Sequence, residues 1–219
     1  MANASNTVAM WPASLSSAWA YRREVSRHPR WTLLLVLVSL VGGISGSLLL
    51  LATSNAAFSR LVPWLLLVAT SLFAFSGQIS RAVAAAKARV GLGTRAAGTP
   101  GGIGGLVFQT LVAIYGGFFG AGMGILTLAA LAIQGVDDMQ ELNGLKNLTS
   151  AVNYTVAAAT FIIAGAISWP HTLLMIVTAM AGAFAGAAFA RRLPALWLRR
   201  LVVVVGSVLS VIYFIKTYS

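Results

Sequence analysis

The sequence predicts an all-α polytopic membrane protein: two inverted repeats of transmembrane helices with a Gly-rich, broken or re-entrant segment. Three observations predict it. First, the 219-residue chain is 58% hydrophobic and only 9% charged, with mean hydropathy +0.87, where soluble domains carry about 25% charged residues. Second, apolar runs of spanning length recur along it, without the polar–apolar alternation of barrel strands. Third, several features recur in one register when the chain is shifted by 140 residues, as in duplicated membrane bundles.

Taken in order, residues 2–20 form a weak span, interrupted by Asn3, Asn6, Thr7, Trp11, Pro12 and several serines. A basic loop follows, with Arg22, Arg23, Arg27 and Arg30. Residues 31–51 and 61–80 are clear spans, divided by a turn near Ser54-Asn55. Residues 81–102 read as a basic cytoplasmic linker, with Arg81, Lys87, Arg89 and Arg95 before Gly/Pro-rich sequence. Residues 103–134 are apolar and carry Gly116-Gly-Phe-Phe-Gly-Ala-Gly-Met-Gly124 at their middle. After an acidic loop with Asp137, Asp138 and Glu141, further spans are predicted at 143–166, 171–190 and 200–217. The organisation is a first repeat over 1–80, the linker over 81–102 and a second repeat over 103–219.

The shift matches Gly42 with Gly182, Gly46 with Gly186, Arg60-Leu-Val with Arg200-Leu-Val and Phe73 with Tyr213. It also lays the polar helix holding Asn3, Asn6 and Thr7 against Asn143, Lys146 and Asn147. A Gly-rich segment precedes the polar helix of the second half, and none precedes that of the first. A counterpart upstream of Met1 is therefore expected, unless the protein is naturally shortened.

Charge sets the topology. If residues 103–134 cross the membrane once, Arg60, Lys146, Arg191, Arg192, Arg199 and Arg200 all lie outside. If they enter and return as a hairpin at the glycines, only Arg60 and Lys216 do. Basic residues concentrate on the cytoplasmic side, so the hairpin is favoured over one long, tilted helix. Non-helical backbone at the glycines then requires cover by protein or a water-filled cavity.

The candidate site follows from polarity in an apolar setting. On a helix, Asn143, Lys146, Asn147, Ser150, Asn153 and Tyr154 recur at spacings of three and four and share a face. Such a face does not look at lipid. Lys146 offers a point charge to an anion, and Asn143, Asn147, Ser150 and Asn153 offer neutral groups that replace its water. The plainer reading is that Lys146 snorkels to the interface and the asparagines bond neighbouring helices. Asn3, Asn6, Thr7, Met10 and Ser14 form the corresponding stripe of the first half. Gly120, Gly122 and Gly124 free the backbone for a turn whose helix N-terminus favours negative charge. Gly42/Gly46 and Gly182/Gly186 read as small-residue packing pairs.

Several classes are excluded or weak. Cys is absent and there are 2 His and 4 acidic residues, so no metal centre, cofactor or catalytic residue is expected. The net charge of +11 sits in short loops, which writes topology and not nucleic-acid binding. Gly101-Gly-Ile-Gly-Gly lacks the Lys-Ser/Thr of a phosphate-binding loop. Gly43-Ile-Ser-Gly46 matches the G-x-S-G of intramembrane serine proteases, with His171 as the available base. A non-transporting subunit of a larger complex is the other rival. The partners expected are a small anionic substrate and the lipid bilayer, and a homo-oligomer is compatible with the sequence.

The Gly-rich run 116–124, followed by Asn143-Gly-Leu-Lys-Asn147 and the run to Trp169-Pro170, resembles the TauE/SafE family of bacterial membrane transporters. Asn6-Thr-Val-Ala-Met-Trp-Pro12 with Trp19-Ala-Tyr-Arg-Arg23 is similar to that family's first half. The resemblance implies a multi-pass protein of the bacterial inner membrane. It implies movement of small anions such as sulfite or organosulfur compounds, driven by an ion or substrate gradient. The family pattern usually has a Gly-rich segment in both halves, and this chain has the second.

Overall fold

In the computed structural model the chain is described over residues 2–25, 29–89, 103–134, 136, 138–190 and 195–218. Regular structure among these residues is helical throughout: α1 (Ala2–Ala20), α2 (Arg22–Val25), α3 (Pro29–Ala52), α4 (Asn55–Arg89), α5 (Ile103–Phe118), α6 (Met123–Ile133), α7 (Met139–Ile163), α8 (Trp169–Ala190) and α9 (Ala195–Tyr218). The stretches Pro29–Ala52, Asn55–Phe75 and Arg200–Tyr218 are each long and apolar enough to cross a membrane. The all-helical, polytopic class expected from composition is what is found.

α4, α7 and α9 start four to six residues earlier than the sequence reading, at Asn55, Met139 and Ala195, and two differences have a clear physical cause. α4 does not stop at residue 80 but runs to Arg89. Residues 81–89 hold no Gly or Pro and are rich in Ala, so intrinsic propensity carries the helix past the apolar stretch. The basic loop, in turn, contains the short helix α2, tied to α3 by Thr32 Oγ1 donating to the Val25 carbonyl at 3.0 Å. The linker beyond Arg89, Asp137, and Arg191 with Arg192 lie outside the described residues.

Contacts fix how the helices run. Gly42 lies against Thr110 and Ala113, and Gly46 against Ile114 and Phe118, so α3 and α5 are parallel. At the other arm, Gly105 sits beside Gln134 and Gly116 beside Met123. α5 and α6 are therefore antiparallel, and residues 103–134 double back as a hairpin. Trp31 and Leu35 of α3 pack in one cluster with Leu131, Val136, Leu142 and Leu145. That cluster brings the exit of the hairpin and the start of α7 to the level where α3 begins. α7 then runs parallel to α3, with Gly43 against Asn153 and Val156. Its N-terminus is capped by Asp138, whose side chain accepts from the Gln140 and Glu141 amides at 2.7 and 3.1 Å, satisfying donors that would otherwise be orphaned.

α1 runs antiparallel to α7. Ala4 packs with Ala157 and Phe161, and Trp11 Nε1 donates to Thr155 Oγ1 at 2.9 Å. α8 packs on α1, where the Ser168 amide donates to Ser5 Oγ at 3.2 Å. α9 runs antiparallel to α4: Tyr218 Oη donates to the Arg60 carbonyl at 3.1 Å, and Gly206 faces Thr70. Each helix matched by the 140-residue shift thus faces an exchanged partner: α1 faces α7, α3 contacts α7 while α8 contacts α1, and α4 pairs with α9.

Candidate anion site at the glycine-rich turn

The turn of the hairpin is made by glycine chemistry. Gly120 (φ 81°) and Gly122 (φ 77°) occupy the left-handed region, which costs an L-residue with a side chain roughly 1–2 kcal/mol. The turn is closed by Tyr115 Oη, which donates to the Ala121 carbonyl at 2.6 Å. Tyr115 stands six residues before its acceptor, and no sequence motif marks it. α6 starts at Met123 with Gly122 as its N-cap and no side-chain cap. Backbone carbonyls of the turn take its first amides, Met123 donating to the Gly120 carbonyl at 3.2 Å and Ile125 to the Gly122 carbonyl at 3.0 Å, and the helix dipole is positive at this end.

Lys146 lies beside that end. Its Cδ stands 3.6 Å from where a Cβ on Gly124 would be, so the lysine stem runs over the first turn of α6. Further along α7, Tyr154 Oη stands 3.8 Å from the corresponding position on Gly120. Between them, Asn147 and Ser150 are half-buried, as are Asn143 and Lys146 themselves. The structure therefore sets a half-buried polar stripe, Asn143–Lys146–Asn147–Ser150–Tyr154, beside a glycine turn and a helix N-terminus.

Other sequence-predicted residues are placed differently. Asn153 is buried, and its Nδ2 donates to the Ala113 carbonyl at 2.7 Å, locking α7 to α5. Asn6 is exposed, and Thr7 Oγ1 donates within α1 to the Asn3 carbonyl at 2.9 Å. Asn3 is the residue of α1 that reaches the hairpin: its Nδ2 donates to the Phe118 carbonyl at 3.0 Å, in the last turn of α5. It also lines a cavity of about 480 Å³ together with Thr53, Asn55, Phe58, Ser59 and Tyr213. Pro63 stands inside α4 and brings no N–H to the Ser59 carbonyl one turn earlier.

Ser45 Oγ donates to the Val41 carbonyl of its own helix at 2.8 Å, and His171 Nδ1 is bonded to Ser168 Oγ at 2.6 Å. Each of the two groups a serine protease would need is engaged locally. Among the described residues there is no group of three or more His, Cys, Asp or Glu able to hold a metal ion.

The fold and the site define a class: a polytopic helical membrane protein in which a broken helix pair packs against a polar helix carrying a cation. The family model of the sulfite exporter TauE/SafE matches residues 1–213. The chain belongs to that family, which makes it a membrane protein of an anion-transporter family. No curated protein and no solved structure matches it.

Proposed function

We propose that the chain is a secondary transporter of small inorganic or organic sulfur anions, such as sulfite or a sulfonate, in the bacterial inner membrane. It works by alternating access between two inverted halves, residues 1–80 and 103–219. The observation that carries the reading is Lys146 lying along the first turn of α6. A lysine in a membrane helix costs about 3 kcal/mol on insertion scales, and the N-terminal end of the α6 dipole has the same sign of potential. Two positive features placed side by side repel unless an anion sits between or beside them. Asn143, Asn147 and Ser150 supply neutral partners for an anion that has shed water.

The exchanged pairing of α1, α3 and α4 with α7, α8 and α9 supports the inverted arrangement, in which discontinuous helices at the repeat interface hold the substrate. The family match supports the substrate class. The energy source is an ion gradient or the gradient of the anion itself.

The test is radiolabelled sulfite flux in proteoliposomes containing this chain alone. Wild-type protein is expected to move sulfite. Lys146→Ala is expected to lose at least tenfold in rate while still reconstituting. Full flux in Lys146→Ala would remove the lysine from the site, and no flux in wild type would favour a subunit of a larger assembly.

A further inference from the structure

At the end of the molecule where α1 stops, a groove of about 830 Å³ opens between α1, α2, the first turns of α3 and Leu148 of α7. Its walls are Leu15, Ala18, Val25, Pro29, Leu33 and Val36. Arg22 also lines it, and this guanidinium lies 4.9 Å from the centroid of the Trp19 ring. Arg22 Nη1 donates to the Trp19 carbonyl at 3.2 Å. Trp19 is 70% exposed, and Arg23 and Arg30 are exposed nearby in sequence.

We propose that this groove is a binding site for an anionic phospholipid, with an acyl chain along Leu15, Leu33 and Val36 and the phosphate on Arg22. Three features point to that occupant. The volume falls within the ~300–1,000 Å³ of small-molecule sites, and the walls are aliphatic. The cation lies at the basic end of the molecule, where anionic headgroups gather against Lys and Arg. Trp19 is a residue type that settles at the headgroup level, apolar ring inward and N–H in the wet layer. One guanidinium donor is used on the Trp19 carbonyl, and the planar fork keeps others for a phosphate. The groove shares no residue with the Lys146 stripe, so lipid binding and anion transport are separable.

Native mass spectrometry of the full chain in detergent, titrated with phosphatidylglycerol or with phosphatidylcholine of the same acyl chains, tests this. Phosphatidylglycerol is expected to be retained at detergent concentrations that strip phosphatidylcholine. Arg22→Gln is expected to weaken phosphatidylglycerol binding about five- to tenfold. Leu33→Trp, which fills the groove from an exposed position, is expected to remove it. Lys146→Ala is expected to bind phosphatidylglycerol as wild type does. Equal retention of the two lipids would overturn the proposal. So would unchanged binding in both Arg22→Gln and Leu33→Trp, or displacement of the lipid by inorganic phosphate alone at millimolar concentration.

Discussion

α3 and α8 are counterparts under the 140-residue shift, yet they live in different surroundings. α3 carries Gly42 and Gly46, and both are pressed against α5. A methyl on Gly42 would come within 2.5 Å of Ala113 Cβ, and one on Gly46 would strike the Ile114 carbonyl. α8 carries Gly182 at the matching position, and nothing lies within 4 Å of it. Gly42 and Gly46 thus lie in an interface, whereas Gly182, the counterpart of Gly42, has open space around it. Small residues permit close approach, but they do not supply the helix that approaches.

The comparison can be broken most severely at Gly46. Gly46→Val drives a side chain into the backbone of α5, which has no room to move without shifting the hairpin. The expected loss is about 3 kcal/mol or more, read as a fall in thermal stability and in monodisperse yield in detergent. Gly182→Val, at the place that matches Gly42, is expected to leave both unchanged. Equal losses in the two variants would erase the distinction between the helices.

The next effect concerns what holds α5 in place from its other side. Asn153→Ala removes the side-chain donor that ties α7 to the Ala113 carbonyl, which keeps only its bond within α5. Losing this buried side-chain bond and leaving a gap costs about 1–2 kcal/mol, and thermal unfolding measures it. Asn153→Asp keeps the shape but reverses the bonding, so its failure to restore stability would tie the effect to the N–H donor.

Smaller still is Gly206→Ala in α9, whose new methyl would meet the Thr70 side chain and not backbone. A side chain can rotate away, so a loss of roughly 1 kcal/mol is expected in the same assay. Gly182→Ala closes the series. With open space around it, a gain of a few tenths of a kcal/mol from helix propensity is the expected result. A clear loss there would mean that the α8 face is occupied in the membrane.

How far the sequence reaches can be argued from particular residues. The hairpin was legible, because the positions of Lys146, Arg191 and Arg200 are satisfied only if residues 103–134 return, and Gly105 does lie beside Gln134. The polar stripe on α7 was legible from spacing alone. The division of labour within it was not. Asn147 and Asn153 look alike in sequence, but Asn153 is buried on the Ala113 carbonyl and Asn147 is half-buried beside Lys146. Asn3, Asn6 and Thr7 read alike as part of a second polar stripe, yet Asn3 is bonded to the hairpin, Asn6 is exposed and Thr7 bonds within its own helix. The closing bond from Tyr115 to Ala121 has no sequence signature, because it depends on a turn shape that two positive-φ glycines create.

By itself, then, the sequence determined the class, an all-helical membrane protein, because this follows from transfer free energies summed over apolar runs of spanning length. Only the tertiary structure decided which polar groups remain for a ligand and which small-residue faces are filled. Those outcomes depend on the partner that each helix meets, and a hydrogen bond or a van der Waals contact exists only once a second surface arrives at contact distance.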